Sequence, residues 1–88
     1  MILARGDATS GGILLLTMEK GGNPRFFERG IGPAGEPALL PAGPAMLEDD
    51  NAIISYWQRR RKSDLDLWVI ELDIVHAERF AAETMGLH

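Results

Sequence analysis

Glycine and proline are spread unevenly along this chain, and that limits its possible folds more than any other feature. Four of the five prolines and four of the ten glycines fall between Gly30 and Pro44. Ala45 to His88 holds no proline and only Gly86 as a glycine. Regular helix is therefore expected in the second half, because proline removes a backbone donor and glycine costs a helix about 1 kcal/mol. Before Gly30, the pairs Gly11-Gly12 and Gly21-Gly22 bracket one apolar stretch, Ile13 to Glu19.

That stretch reads as a strand, too short for a buried helix and closed on both sides by glycine pairs. Lys20-Gly21-Gly22-Asn23-Pro24 is turn chemistry, since glycine tolerates positive φ. Arg25 to Arg29 then returns as a short strand, making an antiparallel hairpin. Gly30 to Pro44 shows no period and is expected to be an extended Pro/Gly-rich loop pinned to the core by Leu39 and Leu40. A helix is predicted over Glu48 to Lys62. Glu48, Asp49 and Asp50 open it and Arg59, Arg60, Arg61 and Lys62 close it, both complementing the helix dipole. Ile53, Ile54 and Trp57 form its apolar stripe.

Leu67 to Ile74 is the clearest strand. Trp68, Ile70, Leu72 and Ile74 share one face at period two. That face is expected to pack on Ile53 and Trp57, with Leu14 or Leu16 joining. The opposite face, Leu67, Val69, Glu71 and Asp73, is apolar at its start and acidic at its end. Ala77 to Met85 is predicted as a terminal helix closed by Gly86. The fold class is α+β, a single domain over residues 1–88. It comprises an antiparallel hairpin and a further strand, packed against one main helix and a short C-terminal helix.

Composition narrows function mainly by exclusion. The net charge is −4, so a generally basic nucleic-acid or anionic-membrane binder is excluded. The absence of cysteine removes disulfides, thiol nucleophiles and cysteine zinc sites. No apolar run exceeds the four residues of Ile13–Leu16, so no spanning segment or secretory core is present. The expectation is a soluble, cytoplasmic protein with no cofactor and no membrane partner.

Asp64, Asp66, Glu71 and Asp73 are the most suggestive chemical group. Glu71 and Asp73 project from one strand face about 7 Å apart. Carboxylates so placed can hold Mg²⁺ for phosphodiester chemistry. A turn that caps the preceding helix and a solvated strand face are the better account of them. Arg59, Arg60, Arg61 and Lys62 could grip phosphates, but four consecutive helical residues point in nearly every direction. Gly6 to Gly12 has the composition of a phosphate cradle, yet a strand follows it where a P-loop needs a helix. Arg5-Gly6-Asp7 spells an adhesion tripeptide, taken as chance. His76 and His88 lack partners at zinc spacing, and Ser10, Ser55 and Ser63 lack a nucleophile-elbow context.

Two stretches carry a family resemblance. Arg5-Gly6-Asp7-Ala8-Thr9-Ser10-Gly11-Gly12, opening onto Ile13–Leu16, resembles the first signature of a small bacterial family, domain of unknown function 1491. Tyr56 to Leu72, where a basic helix end runs through Asp64-Leu65-Asp66-Leu67-Trp68 into a strand, resembles its second. Leu65 stands where the family more often has proline. The resemblance implies alphaproteobacterial origin and a shared fold, and it supplies no activity. Family members usually carry a further segment ahead of the Arg-Gly-Asp stretch. The chain is thus expected either to be a truncated reading frame or to dispense with that element.

The functional expectation is a non-enzymatic domain that works by contact with another chain, chiefly a second copy. Strand edges in so small a domain need covering. Ile2, Leu3, Ile13, Leu15, Leu39 and Leu40 are the expected interface of a homodimer. The alternative is a metal-dependent phosphodiesterase or nucleotide-binding enzyme using Asp64, Asp66, Glu71 and Asp73. A third is a nucleic-acid accessory protein using Arg59 to Lys62.

Overall fold

The two strands of the predicted hairpin become neighbours inside a larger sheet. The computed structural model describes residues 1–9, 11–44, 47, 49–74, 76, 79 and 81. Its elements run β1 (Ile2–Ala4), β2 (Ile13–Glu19), β3 (Gly22–Ile31), β4 (Pro37–Ala42), α1 (Asp50–Ser63) and β5 (Trp68–Asp73). The strands form one sheet of five in the order β1-β5-β2-β3-β4. β2 and β5 run parallel, Leu14 opposite Val69 and Leu16 opposite Glu71. The other pairings are antiparallel.

The hairpin turn is tighter than the five residues expected. Glu19 pairs with Gly22, leaving Lys20 and Gly21 as the turn, both at positive φ (52° and 74°). That backbone twist matches the right-handed twist of the flanking strands. β3 therefore starts at Gly22, and Asn23, also at positive φ, is absorbed into the strand.

The expected loop over 30–44 is corrected: Pro37 to Ala42 is a strand, paired with β3 from Phe26↔Ala42 to Ile31↔Pro37. Proline hid it, because proline is tolerated in sheets only at edges and bulges, and β4 is an edge. β1, also unforeseen, is a three-residue edge strand held against β5.

α1 begins one residue after its cap. Asp49 accepts the Ala52 N–H at 2.8 Å, with Asp50 in the first turn and Arg60, Arg61 and Lys62 in the last. Among the described residues α1 is the one complete helix. Glu48 and most of the C-terminal helix expected at 77–85 lie outside them. The chain is thus α+β but richer in strand than predicted.

The core lies on both faces of the sheet. Leu14, Leu16, Phe26, Leu67 and Val69 meet Ile53 and Tyr56 of α1. On the other face Leu15 and Phe27 pack with Ala81, flanked by Leu39, Ile70 and Leu72. The expected packing of Trp68, Ile70 and Leu72 on the helix is therefore corrected: Leu67 and Val69 occupy that place. β5 lies inside the sheet and is covered on both sides. Its alternation separates the two faces without saying which one meets the helix.

Candidate functional site

The two resemblance-bearing stretches clasp each other. The Asp7 N–H donates to the Asp66 carbonyl at 3.0 Å, and the Trp68 N–H to the Gly12 carbonyl at 2.8 Å. The Trp68 indole Nε1–H donates to the Asp7 carbonyl at 2.9 Å, and Arg61 Nη2 to the Arg5 carbonyl at 2.8 Å. Gly6 and Gly11 are required here, because a Cβ at either would run into the Asp66 carbonyl. The cradle-like composition of Gly6 to Gly12 thus serves a close backbone approach within the chain.

The four predicted carboxylates are not gathered. Asp64 Oδ1 accepts the Asp66 N–H at 3.1 Å, closing the turn after α1. Asp73 Oδ2 accepts the Gly21 N–H at 2.9 Å and braces the β2–β3 turn. Among the described residues no three aspartate, glutamate or histidine side chains come together at metal-binding range.

The basic run is dispersed. Arg60 Nη2 pairs with Glu28 Oε2 at 2.6 Å, and Nη1 donates to the Tyr56 hydroxyl at 2.8 Å. The hydrogen bond to Glu28 holds the Arg60 guanidinium above its ordinary pKa, against the opposing effect of burial and with help from Tyr56. Arg61 is committed to the clasp, and Arg59 stands 6.0 Å over the Tyr56 ring. Lys62 is exposed. A cleft of about 530 Å³ opens beside the Arg60–Glu28 pair, with Gly11, Gly12, Ile13 and Leu67 among its walls.

A second, more apolar groove of about 380 Å³ lies between α1 and the β1–β5 side of the sheet. Leu3, Met18, Ile54 and Trp57 line it, with Asp50 and Glu71 as its two carboxylates. Ile54 is 42% exposed, and Ile2 on the adjoining edge strand 46%. Of the expected interface residues, Ile2 and Leu3 belong to this side of the molecule. Leu15 is buried in the chain's own core, Leu39 packs against that same cluster, and Ile13 and Leu40 are half-buried. β2 is central, so its backbone edges are already paired. Met18 lies in the strand expected to supply part of the interface, whereas Ile54 as a surface residue and Asp50 in the groove were not foreseen. The available signal was that Ile53 and Ile54, about 100° apart on a helix, cannot both sit at the centre of one buried stripe.

Among the described residues, one complete helix on one face of a mixed five-stranded sheet defines a small α+β domain. Its residues 1–82 match the model for DUF1491, protein of unknown function, and the chain belongs to that family. The crystal structure of a DUF1491 family protein from Caulobacter crescentus CB15 is similar. It is 25% identical with a TM-score of 0.65, over 81% of this chain and 65% of that one. The NMR structure of a DUF1491 family protein from the same organism has a TM-score of 0.66 at 24% identity, over 84% of this chain and 66% of that one. This chain therefore spans just under two thirds of the length of those solved relatives. No curated protein matches it. Among the described residues no helix is long and apolar enough to cross a membrane.

Proposed function

We propose that this domain is a non-enzymatic interaction module that contacts another protein chain through the β1–α1 side of its sheet. The observation that carries this reading is the difference between the two sheet edges. β4 is blunted by Pro37 and Pro41, which cannot donate to an added strand. β1 has no proline. Met1 and Glu71 exchange both backbone hydrogen bonds at 2.8 Å, so the next residue, Ile2, turns its N–H and C=O away from β5. Beside that edge lies the groove of Leu3, Met18, Ile54 and Trp57. Among the described residues that edge is unpaired, and an open edge joined to an apolar groove is the usual footing for a docked chain.

The test is site-specific photo-crosslinking in the native host. A photo-reactive side chain at position 54 or 2 is expected to capture a protein, of this chain or another. The same group at position 31 or 65 is expected to capture none, although Ile31 and Leu65 are 70% and 71% exposed. Equal capture at all four positions, or none at 54 and 2, would overturn the reading.

A further inference from the structure

The groove beside α1 is apolar within and acidic at its rim. Leu3, Met18, Ile54 and Trp57 supply the apolar surface, and Asp50 and Glu71 the carboxylates. Neither carboxylate forms a side-chain hydrogen bond or ion pair with another described residue. Among the described residues the neighbouring Asp49 caps α1 and Asp73 braces the β2–β3 turn. Glu28, on the same face of the sheet, is paired with Arg60. Asp50 and Glu71 thus bring negative charge without a side-chain partner among the described residues to the place where the apolar surface opens. We propose that the groove receives an apolar segment of a different protein carrying a lysine or arginine, its cation set against Asp50 and Glu71. This rests on the interaction reading above and names the partner's chemistry.

Charge decides between the candidate occupants. A second copy docked by the same face would form an isologous contact, each patch meeting its own image. Asp50 and Glu71 would then approach like charges, on a chain whose net charge is already −4. A segment of leucine-like residues interspersed with lysine or arginine fills the groove and neutralises its rim. Such a segment also gains on encounter rate from long-range attraction to the acidic protein.

The probe is a short fluorescent peptide of alternating leucine and lysine. Controls carry glutamate for lysine or serine for leucine, and binding to the full chain is read by anisotropy at low and at physiological salt. The leucine–lysine peptide is expected to bind and both controls to fail. Glu71→Gln is expected to weaken binding by about fivefold, the scale of one partly desolvated charge contact. Ile54→Ser is expected to weaken it by about tenfold through lost apolar burial. Glu36→Gln removes the same charge from the β3–β4 turn and is expected to change binding less than twofold. Circular dichroism establishes that each variant is folded.

Equal weakening by Glu71→Gln and Glu36→Gln would reduce the effect to net charge and overturn the proposal. So would absence of binding, or a dimer that Ile54→Ser dissociates and the peptide does not. Crosslinks at position 54 without the lysine preference would leave the interaction reading standing and remove only the partner chemistry.

Discussion

The indole N–H of Trp68 donates to the main-chain carbonyl of Asp7 at 2.9 Å, joining residues sixty-one positions apart. The same carbonyl accepts the Gly11 N–H at 3.0 Å. One oxygen thus ties the Gly6 to Gly12 loop to the start of β5. The two stretches that carry the family resemblance are therefore the halves of one structural clasp, in which an aspartate–tryptophan strand start meets a glycine-rich loop.

Replacing Trp68 with phenylalanine keeps one aromatic ring and deletes the pyrrole part that carries the donor. The Asp7 carbonyl retains Gly11, so no acceptor is stranded, and the cost is expected to be about 1 kcal/mol. Urea unfolding followed by circular dichroism measures it. A cost indistinguishable from zero would mean that the indole bond holds nothing.

Leu14 and Val69 are fully buried between the sheet and α1. Leu14→Ala is expected to cost about 2–5 kcal/mol, against a total of about 5–10 for a domain of this size. The variant should be strongly destabilised, with its urea and thermal midpoints well below those of the parent. Leu65→Ala, at a residue 71% exposed, should stay within about 0.5 kcal/mol of the parent. Comparable losses at both positions would contradict the assigned core.

β2, α1 and β5 were legible because each carries a local signal: glycine brackets, matched terminal charges and period-two alternation. β4 was not, because Pro37 and Pro41 read as loop until the neighbouring β3 is known to leave it an edge. β1 was not, because three residues show no period and its place depends on β5. The face of β5 that meets α1 was misread because Trp68 and Ile70 outweigh Leu67 and Val69 in bulk. The sheet, however, buries both sides. Of the candidate groove and its adjoining edge, Leu3, Met18 and Ile2 were legible as apolar residues of an expected interface. Ile54 was hidden within what looked like one stripe, and Glu71 was grouped with carboxylates that the fold keeps apart.

Two glycines separate steric from conformational need. Gly11→Ala drives a Cβ against the Asp66 carbonyl, where only backbone movement gives relief. The expected loss exceeds about 2 kcal/mol, with the clasp opening. Gly21→Ala meets nothing within 4 Å but sits at φ +74°, so only the left-handed penalty of about 1 kcal/mol applies. Gly21→Asn should recover part of it. The reverse ranking in thermal melts would argue against the loop–strand approach.

The Arg60–Glu28 pair bridges α1 and β3 at 2.6 Å, with the two side chains 33% and 40% exposed. Exposure of that order limits the pair to about 0.5–1 kcal/mol. The raised Arg60 pKa means that the arginine's contribution is complete below its unfolded value. It is lost only as pH rises through the still higher folded value. Salt is therefore the practical probe. Glu28→Gln should lower stability by about that amount in dilute buffer, and the difference from the parent should shrink at about 1 M salt, where the Debye length is about 3 Å. A difference unaffected by salt would assign the effect to packing around Tyr56.

Divalent metal gives the sharpest test between contact and catalysis. A ligand that binds only the folded state stabilises it by RT ln(1 + [L]/Kd), about 2.7 kcal/mol at ~100 Kd. For a domain of this length each kcal/mol raises the melting temperature by about 4–8 °C, so an occupied site would be plain in a thermal scan. Asp73 is spent on the Gly21 N–H, and Asp64 closes the turn that carries Asp66. Gathering Asp66, Glu71 and Asp73 around one ion would require releasing the β2–β3 turn. Mg²⁺ and Mn²⁺ are accordingly expected to leave the melting temperature unchanged. A rise of ten degrees that Glu71→Gln abolishes would show that the turn does release, and would put phosphodiester chemistry in place of the interaction reading.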